Sequence, residues 1–273
     1  IDVNLGYKTD SSKDISFATN ISFTTADNLV KEIANGDKYI WGAGYGIPYN
    51  NLVRFQEGES PGIFWGYLAD GIFQNQSEVD SHATQPNAQP GDIRFVDVNG
   101  DGVVNADDRT KIGDPFADFS IGWNLNLNVY NFDLSVTTYG TFGNDIFRGF
   151  ERNLNYTNKP VTVLARWTGE GTSNFEPRAT FVDSNNNVRP STRYVEDGSY
   201  FKIKNVQLGY NFNVSNSKSL DAVRLYLQGK NLMTFTDYTG YDPEMSYGVL
   251  DTGIDRGNYP SPRTVSVGLN VKF

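Results

Sequence analysis

The sequence predicts an all-β fold, a transmembrane antiparallel β-barrel, and three observations support this prediction. Apolar and polar residues alternate strictly through many segments, which is the pattern of strands that have two different faces. These segments reach about ten residues, the length that a tilted strand needs to cross a bilayer. The links between them alternate between short and long, as the turns and loops at the two ends of a membrane barrel do.

The composition agrees with a barrel and excludes several other classes of protein. Of the 273 residues, 27 are glycine and 14% are aromatic, which favours strands and turns over helices. No apolar run approaches the roughly 20 residues of a membrane helix, so a helical membrane protein is excluded. The chain has no cysteine, which excludes disulfides and thiolate metal sites, and its net charge of −9 argues against a nucleic-acid partner.

About nine strands are predicted, including a short one near residues 50–57 and another at 62–73, and residues 1–273 are treated as one barrel portion. Short links are predicted at 9–13, 58–61, 130–131 and 213–220. Long extracellular loops are predicted at about 27–49, 74–117, 143–199 and 233–262. Phe201 and Ile203 are out of phase with Val206, so a β-bulge is expected between them.

The alternation also predicts which side chains share a face of the sheet. Because side chains point alternately to the two sides of a strand, one set should face lipid and the other the lumen or a plug. The apolar set is Leu125, Leu127, Val129, Leu134, Val136, Val267, Leu269 and Val271. The polar set is Asn124, Asn126, Asn128, Ser266 and Asn270.

The last eight residues, Ser266-Val267-Gly268-Leu269-Asn270-Val271-Lys272-Phe273, form an alternating segment that ends in an aromatic residue. This arrangement resembles the signal by which the barrel-assembly machinery recognises outer-membrane proteins. An ordinary final strand that ends in phenylalanine is the alternative interpretation.

A second motif has the spacing of an EF-hand-type loop. Oxygen-bearing side chains occupy positions 1, 3, 5, 9 and 12, a glycine occupies position 6, and the residue at position 7 offers its carbonyl. A hard cation takes six to eight oxygens at about 2.3–2.6 Å, and with neither His nor Cys we predict a structural Ca²⁺, with Mg²⁺ as the alternative. A turn-rich loop without an ion is the competing interpretation. The predicted ligands are Asp97, Asn99, Asp101, Val103, Asn105 and Asp108.

No catalytic motif stands out, and we predict that the chain is not an enzyme. His82 is the single histidine, and the chain lacks G-x-S-x-G, H-E-x-x-H and P-loop motifs. One group of aromatic residues could stack on sugars or peptides, although an interfacial girdle or loop packing is favoured. These residues are Trp41, Tyr45, Tyr49, Trp65 and Tyr67.

Longer motifs identify a family resemblance. Residues 90–95 (PGDIRF), the loop from Asp97 to Asp108, and residues 112–115 (IGDP) together resemble the "PGD…DxNGDG…D…IG(N/D)P" stretch of SusC/RagA-type TonB-dependent transporters. Further segments match the family in order, so the resemblance spans about residues 60–273. They are 62–67 (GIFWGY), 70–73 (DGIF), 143–146 (GNDI), 165–168 (ARWT), 200–210 (YFKIKNVQLGY), 229–232 (GKNL), 241–244 (YDPE) and 259–264 (YPSPRT).

The resemblance implies a fold, a function and a set of partners. The chain would be the C-terminal strands of a large plugged barrel of about 22 strands in the outer membrane. The function would be active import of oligosaccharides or peptides by a SusCD-like TonB-dependent transporter. Expected partners are a SusD-like surface lipoprotein, the N-terminal plug and remaining barrel of the same transporter, TonB through that remaining part, and membrane lipids.

One alternative from another class stays open at this point. A secreted β-sandwich that binds glycans, with a dockerin-like calcium loop, would also show alternating strands. Dependence on detergent separates the two, because a secreted module would stay soluble without it.

Overall fold

The computed structural model describes residues 1–10, 14–42, 44, 51–150, 160–215, 219–245, 248 and 250–273. The strands in these ranges are β1 (Asp2–Lys8), β2 (Ile15–Thr24), β3 (Tyr39–Trp41), β4 (Val53–Gln56), β5 (Ile63–Gly66), β6 (Ala69–Ile72), β7 (Ile93–Phe95), β8 (Thr110–Gly113), β9 (Phe119–Val129), β10 (Phe132–Phe142), β11 (Asp145–Arg148), β12 (Val195–Asp197), β13 (Tyr200–Phe212), β14 (Ala222–Thr236), β15 (Ile254–Asp255) and β16 (Thr264–Lys272). Helical structure comprises α1 (Gln76–Ser81) and 3₁₀ turns at Ala34–Gly36, Ala106–Asp108, Val161–Ala165 and Thr192–Tyr194.

The dominant element is an antiparallel sheet in the order β1-β2-β9-β10-β13-β14-β16. Each strand of this sheet pairs with the next one that the chain contributes to it, so the chain runs up and down through the sheet. We call this seven-stranded sheet the wall. Three smaller sheets have the orders β3-β4-β5-β8, β12-β11-β15 and β6-β7.

The difference from the nine predicted strands lies between residues 25 and 118. β2 pairs directly with β9 from Ile15↔Val129 to Thr24↔Ser120, so no strand lies between them, and none of the described residues from 25 to 118 adds a strand to the wall. The predicted strands at 50–57 and 62–73 fall on β4, β5 and β6, which are four residues long and belong to the small sheets. Four residues rise only about 13 Å, too little to cross a bilayer.

The wall has one apolar and one polar face. Residues opposite each other in an antiparallel pair point to the same side, so the register places Leu127, Leu134, Leu208, Leu227 and Val267 in one apolar row. Of these, Leu227 is 50% exposed and Val267 is 72% exposed. The whole predicted apolar set lies on this face, and the whole predicted polar set lies on the other.

The predicted β-bulge is confirmed in β13. Thr137 pairs with Asn205 and Thr138 with Ile203, so Lys204 is the extra residue. The bulge changes the phase of the alternation and brings Ile203 and Val206 to the same apolar face, although three positions separate them.

The two buried hydrophobic clusters lie in the long links and not in the wall. Residues 25–118, 143–199 and 237–263 connect wall strands at one rim, and we call them together the long-link unit. All three contribute to one hydrophobic cluster, in which the rings of Phe64 and Phe147 lie 5.8 Å apart. The buried members of this cluster are Leu52, Val53, Phe64, Ile112, Phe147, Tyr194 and Ile254.

Within the described ranges, no helix is both long and apolar enough to cross a membrane.

Candidate functional site

The start of the predicted metal loop folds around the carboxylate of Asp97. One oxygen accepts a hydrogen bond from the Gly100 amide and the other from the Gly102 amide, both at 2.8 Å. Gly100 and Gly102 have φ values of 74° and 85°, which favour glycine. The predicted sharp turn at Gly102 is therefore present.

Asp108 closes the loop from its other end. Its Oδ1 accepts from the amides of Val98 at 2.8 Å and Asn99 at 3.3 Å, and its Oδ2 accepts from the Asn105 amide at 2.7 Å. The side chain is fully buried. Burial alone would raise the pKa of Asp108, but these backbone hydrogen bonds outweigh it and lower the pKa. Asp108 is therefore ionised at neutral pH.

The other predicted ligands lie on the same loop and bond to each other. The Asn99 amide group donates to Asp101 at 3.1 Å, and Asp101 accepts from the Val103 amide at 2.9 Å. The Asn105 side chain donates to the Val103 carbonyl at 3.3 Å. Val104, next to this carbonyl, is buried with Ile93 and Phe95 and so anchors the loop to the strand β7 that precedes it.

The loop fits a hard cation in donor chemistry and only partly in geometry. All its candidate ligand atoms are oxygens, but among the described residues no three His, Asp or Glu side chains lie close enough together to hold an ion. A carboxylate offers about four lone-pair sites, so the oxygens of Asp97 and Asp108 that accept N–H groups keep capacity for a metal. An ion would have to draw Asp97, Asp101 and Asp108 closer together.

The segment before the loop is fixed by contacts that are distant in sequence. Asp92 is fully buried and accepts two hydrogen bonds from Arg178, at 2.8 and 3.1 Å. Gly91 has a φ of 89°, and a Cβ built on it would lie 2.4 Å from the Trp167 ring. The glycine and aspartate of the 90–92 motif thus join two of the long links. Sequence reasoning singled out the motif but could not find Arg178, which lies 86 positions away.

A second long-range contact anchors residues 237–263 to the wall. Lys202 of β13 is buried, and its Nζ lies 2.9 Å from both Asp242 and Glu244. Lys204, the bulge residue, also donates to Glu244. Burial would raise the pKa values of Asp242 and Glu244, but the hydrogen bonds from Lys202 and others outweigh it and lower them.

Three of the aromatic residues highlighted in the sequence lie in the long-link unit. Trp41 and Trp65 lie in β3 and β5, and Tyr67 packs on Phe95 with ring centroids 5.7 Å apart. They are therefore not in the wall strands. Tyr45 and Tyr49 are outside the described residues.

Comparison with known proteins places the chain among large outer-membrane receptors. It is 33% identical to TonB-dependent receptor P3 of Formosa agariphila, over 96% of this chain and 27% of that protein. It is 35% identical to TonB-dependent receptor P26 of the same organism, over 81% of this chain and 23% of that protein. TonB-dependent receptor SusC of Bacteroides thetaiotaomicron is 25% identical, over 96% of this chain and 25% of that protein. The chain thus spans about a quarter of the length of these relatives, and no family model matches it.

Solved structures show the same fold. The chain superposes over its full length on 28% of a chain in the structure of the RagAB peptide transporter, with a TM-score of 0.76 and 18% identity. The "closed-closed" state of the RagAB peptide importer gives a TM-score of 0.74 at 19% identity, over 29% of that chain. The wall is therefore part of a large transmembrane antiparallel β-barrel, as the alternation predicted. Its sequence and fold together show that the chain belongs to the SusC/RagA-type family of TonB-dependent transporters.

Proposed function

We propose that the protein to which this chain belongs actively imports oligosaccharides or peptides across the outer membrane. The observation that carries this proposal is that the chain has two parts with different surfaces, the wall and the long-link unit. An amphipathic wall has an exposed apolar face, and three long links at one rim share a single packed core. A rim packed in this way can shape the outer mouth of a barrel and select what enters, while the apolar face meets lipid.

The same architecture supports a set of partners. The rest of the transporter supplies a plug, the remaining strands and the contact with TonB. A SusD-like surface lipoprotein covers the long-link unit as a lid. The RagAB peptide importer, which has been solved in open-open and closed-closed states, supports a two-protein assembly of this kind.

An uptake assay with the full-length protein tests the function. The protein and its lipoprotein are expressed in an outer membrane that lacks other importers, and labelled oligosaccharides and peptides are offered. We expect at least one compound to accumulate and this accumulation to stop when TonB is removed. Uptake that continues at the same rate without TonB would contradict the proposal.

The secreted-module alternative is disfavoured by the exposure of the apolar face. A β-sandwich covers the apolar face of one sheet with a second sheet. In the described residues the apolar row of the wall remains exposed, with Leu208 at 47% and Leu269 at 61%. A soluble domain would not leave so large an apolar surface in water.

We further propose that the loop from Asp97 to Asp108 binds one structural Ca²⁺, with Mg²⁺ as the weaker candidate. Bringing three carboxylates together without a cation costs repulsion energy, so binding should order the loop, and this stabilisation should rise with the free ion concentration relative to Kd. Asp101→Ala should therefore raise the rate of proteolysis near Gly100, as a chelator does, and leave the barrel folded.

Asp107→Ala is the matched control, because Asp107 is an exposed neighbour outside the predicted ligand positions. It should leave the response to calcium unchanged. Equal cleavage of the unsubstituted protein in millimolar calcium and in chelator would refute the calcium site.

A further inference from the structure

The sheet β3-β4-β5-β8 has one hydrophobic and one cationic–aromatic face. Val53, Phe64 and Ile112 point into the hydrophobic cluster of the long-link unit. The opposite side brings together five large side chains, which we call the arginine–aromatic face. They are Tyr39, Trp41, Arg54, Trp65 and Arg109.

Arg54 lies between two rings. The central carbon of its guanidinium is 3.7 Å from the centroid of Tyr39 and 3.8 Å from that of Trp65. Both flat sides of the guanidinium are therefore covered, so a ligand can hydrogen-bond to Arg54 only along its N–H edge. Arg54 forms no hydrogen bond or ion pair with any residue that the structure describes, and its Nε is buried without a partner.

Arg109 completes the face with a second uncompensated charge. It stacks on Trp41 at 4.9 Å, and its Nη2 donates to the carbonyls of Trp65, at 2.8 Å, and Asn51. These bonds fix its position but do not neutralise it, and its Nε also lacks a partner among the described residues. Burial lowers the pKa of Arg109, and the neighbouring charge of Arg54 lowers it further.

The lack of carboxylates among the described residues of this face contrasts with its surroundings. Lys111, the next basic residue along the chain, lies 3.0 Å from both Glu59 and Asp114. The link from residue 42 to 52, which joins β3 to β4, contains no Asp or Glu at all. Two partly buried cations thus have no anionic partner in the described part of a chain whose net charge is −9. Such charges are costly unless an acceptor from elsewhere pairs with them.

The N–H edge of the Arg54 guanidinium determines which kind of acceptor can bind. A guanidinium whose flat sides are stacked can bind only in its own plane, and a carboxylate matches this edge with two parallel hydrogen bonds. We propose that the arginine–aromatic face binds a carboxylate of the imported ligand, with Arg54 and Arg109 holding the carboxylate and the Trp rings packing against the adjoining part. The ligand would be an acidic oligosaccharide or a peptide with a free carboxylate. This inference rests on the proposed import function and narrows its substrate class.

Binding to paired probes tests the inference in the full-length protein. The probes are tetragalacturonate with its methyl ester, and tetra-alanine with its C-terminal amide. Affinities are measured by calorimetry at low and high salt. We expect at least one acidic probe to bind about tenfold or more tightly than its neutral counterpart, the size of one charge-assisted contact. This preference should shrink as salt rises.

Substitutions then assign the preference to the face. Arg54→Gln combined with Arg109→Gln should abolish it, and Arg54→Lys, which keeps the charge but not the planar edge, should retain only part of it. Arg94→Gln is the control, because Arg94 pairs with Asp70 at 3.0 Å and contacts none of these rings. Unchanged migration of the heated and unheated barrel on gels shows that each variant is folded.

Two outcomes would overturn the inference. One is that neither acidic probe binds more tightly than its neutral counterpart, or that the double variant keeps the preference. The other is that the double variant loses only its association with the surface lipoprotein, which would assign the face to a protein carboxylate. TonB-dependent uptake of a neutral compound in the same preparation would show that the import function stands even when the carboxylate inference fails.

Discussion

Gly91 is a single residue on which the packing of two long links depends. Its φ of 89°, and the 2.4 Å that would separate a Cβ at this position from the Trp167 ring, leave no room for a side chain. Gly91→Ala should therefore destabilise the contact between residues 90–95 and Trp167 by about 1–3 kcal/mol, through backbone strain and a steric clash. Hydrogen exchange of residues 85–95 measures the effect.

Gly169→Ala provides the control for this substitution. Gly169 lies two positions after Trp167, and a Cβ built there has nothing within 4 Å. Gly169→Ala should therefore have little effect on hydrogen exchange near residue 91. Equal protection of the two variants would show that Gly91 is not a packing constraint.

The ion pairs that Lys202 forms with Asp242 and Glu244 should make the stability of residues 237–245 depend on pH in the acid range. Because the pKa values of Asp242 and Glu244 are lowered in the folded protein, their contribution to stability is complete above their ordinary values of about 4 and is lost as the pH falls below them. Residues 237–245 should therefore exchange faster as the pH drops from about 5 to 3, after correction for intrinsic rates.

Lys202→Met tests whether the Lys202 cation is responsible for this response to pH. Removing the cation leaves Asp242 without a cationic partner among the described residues and Glu244 with Lys204 alone, so the pKa values of both should rise and the segment should open at higher pH. Exchange that stays constant between pH 5 and 3 in both proteins would contradict the assigned role of this ion pair.

Motifs of consecutive residues could be predicted from the sequence, whereas contacts between residues distant in sequence could not. The loop that we predict to bind a metal could be recognised because its residues follow one another at fixed spacing, and so its turn at Gly102 could be predicted. Arg54 and Arg109 belong to no local motif, and their rings come from strands that are brought together only by folding. The pairing of Asp92 with Arg178 could not be predicted from the sequence for the same reason.

At the scale of elements, the wall strands were the most predictable part of the chain. A strand with one apolar and one polar face has a period of two, and β9 shows it over all 11 of its residues and β10 over its first six. The strands β4, β5 and β6 also carry apolar residues, and the sequence revealed neither that they are only four residues long nor that they pair outside the wall. Pairing between distant segments, such as β2 with β9, is set by three-dimensional contacts that a single sequence does not display.

Two neighbouring positions in β9 test the assignment of the faces. Leu127 lies on the apolar face and Asn126 on the polar face. Leu127→Arg should destabilise the full-length barrel in lipid vesicles by about 2–4 kcal/mol, whereas Asn126→Arg should cost much less. Unfolding in urea, followed by the mobility of the barrel on gels, measures both. Equal losses for the two variants would mean that neither face is specialised for lipid.

At the scale of the whole molecule, the chain combines a wall and a long-link unit with different sources of stability. The wall strands are held by continuous antiparallel pairing, from β1 to β16, and their apolar face gains stability only when lipid covers it. The long-link unit has its own buried core and its own ion pairs, such as Arg178 with Asp92 and Arg193 with Glu176. This division explains why the mean hydropathy of the chain is only −0.47 although its wall belongs to a transmembrane barrel.

The central claim, that the wall crosses a membrane with its apolar face toward lipid, can be tested by spin labelling. Single cysteines are placed at positions 124–129 of β9 in the full-length protein, which is then reconstituted in vesicles. The accessibility of each label to oxygen, which concentrates in lipid, should alternate and be highest at positions 125, 127 and 129. Accessibility that does not alternate, or that is highest at positions 124, 126 and 128, would contradict the account.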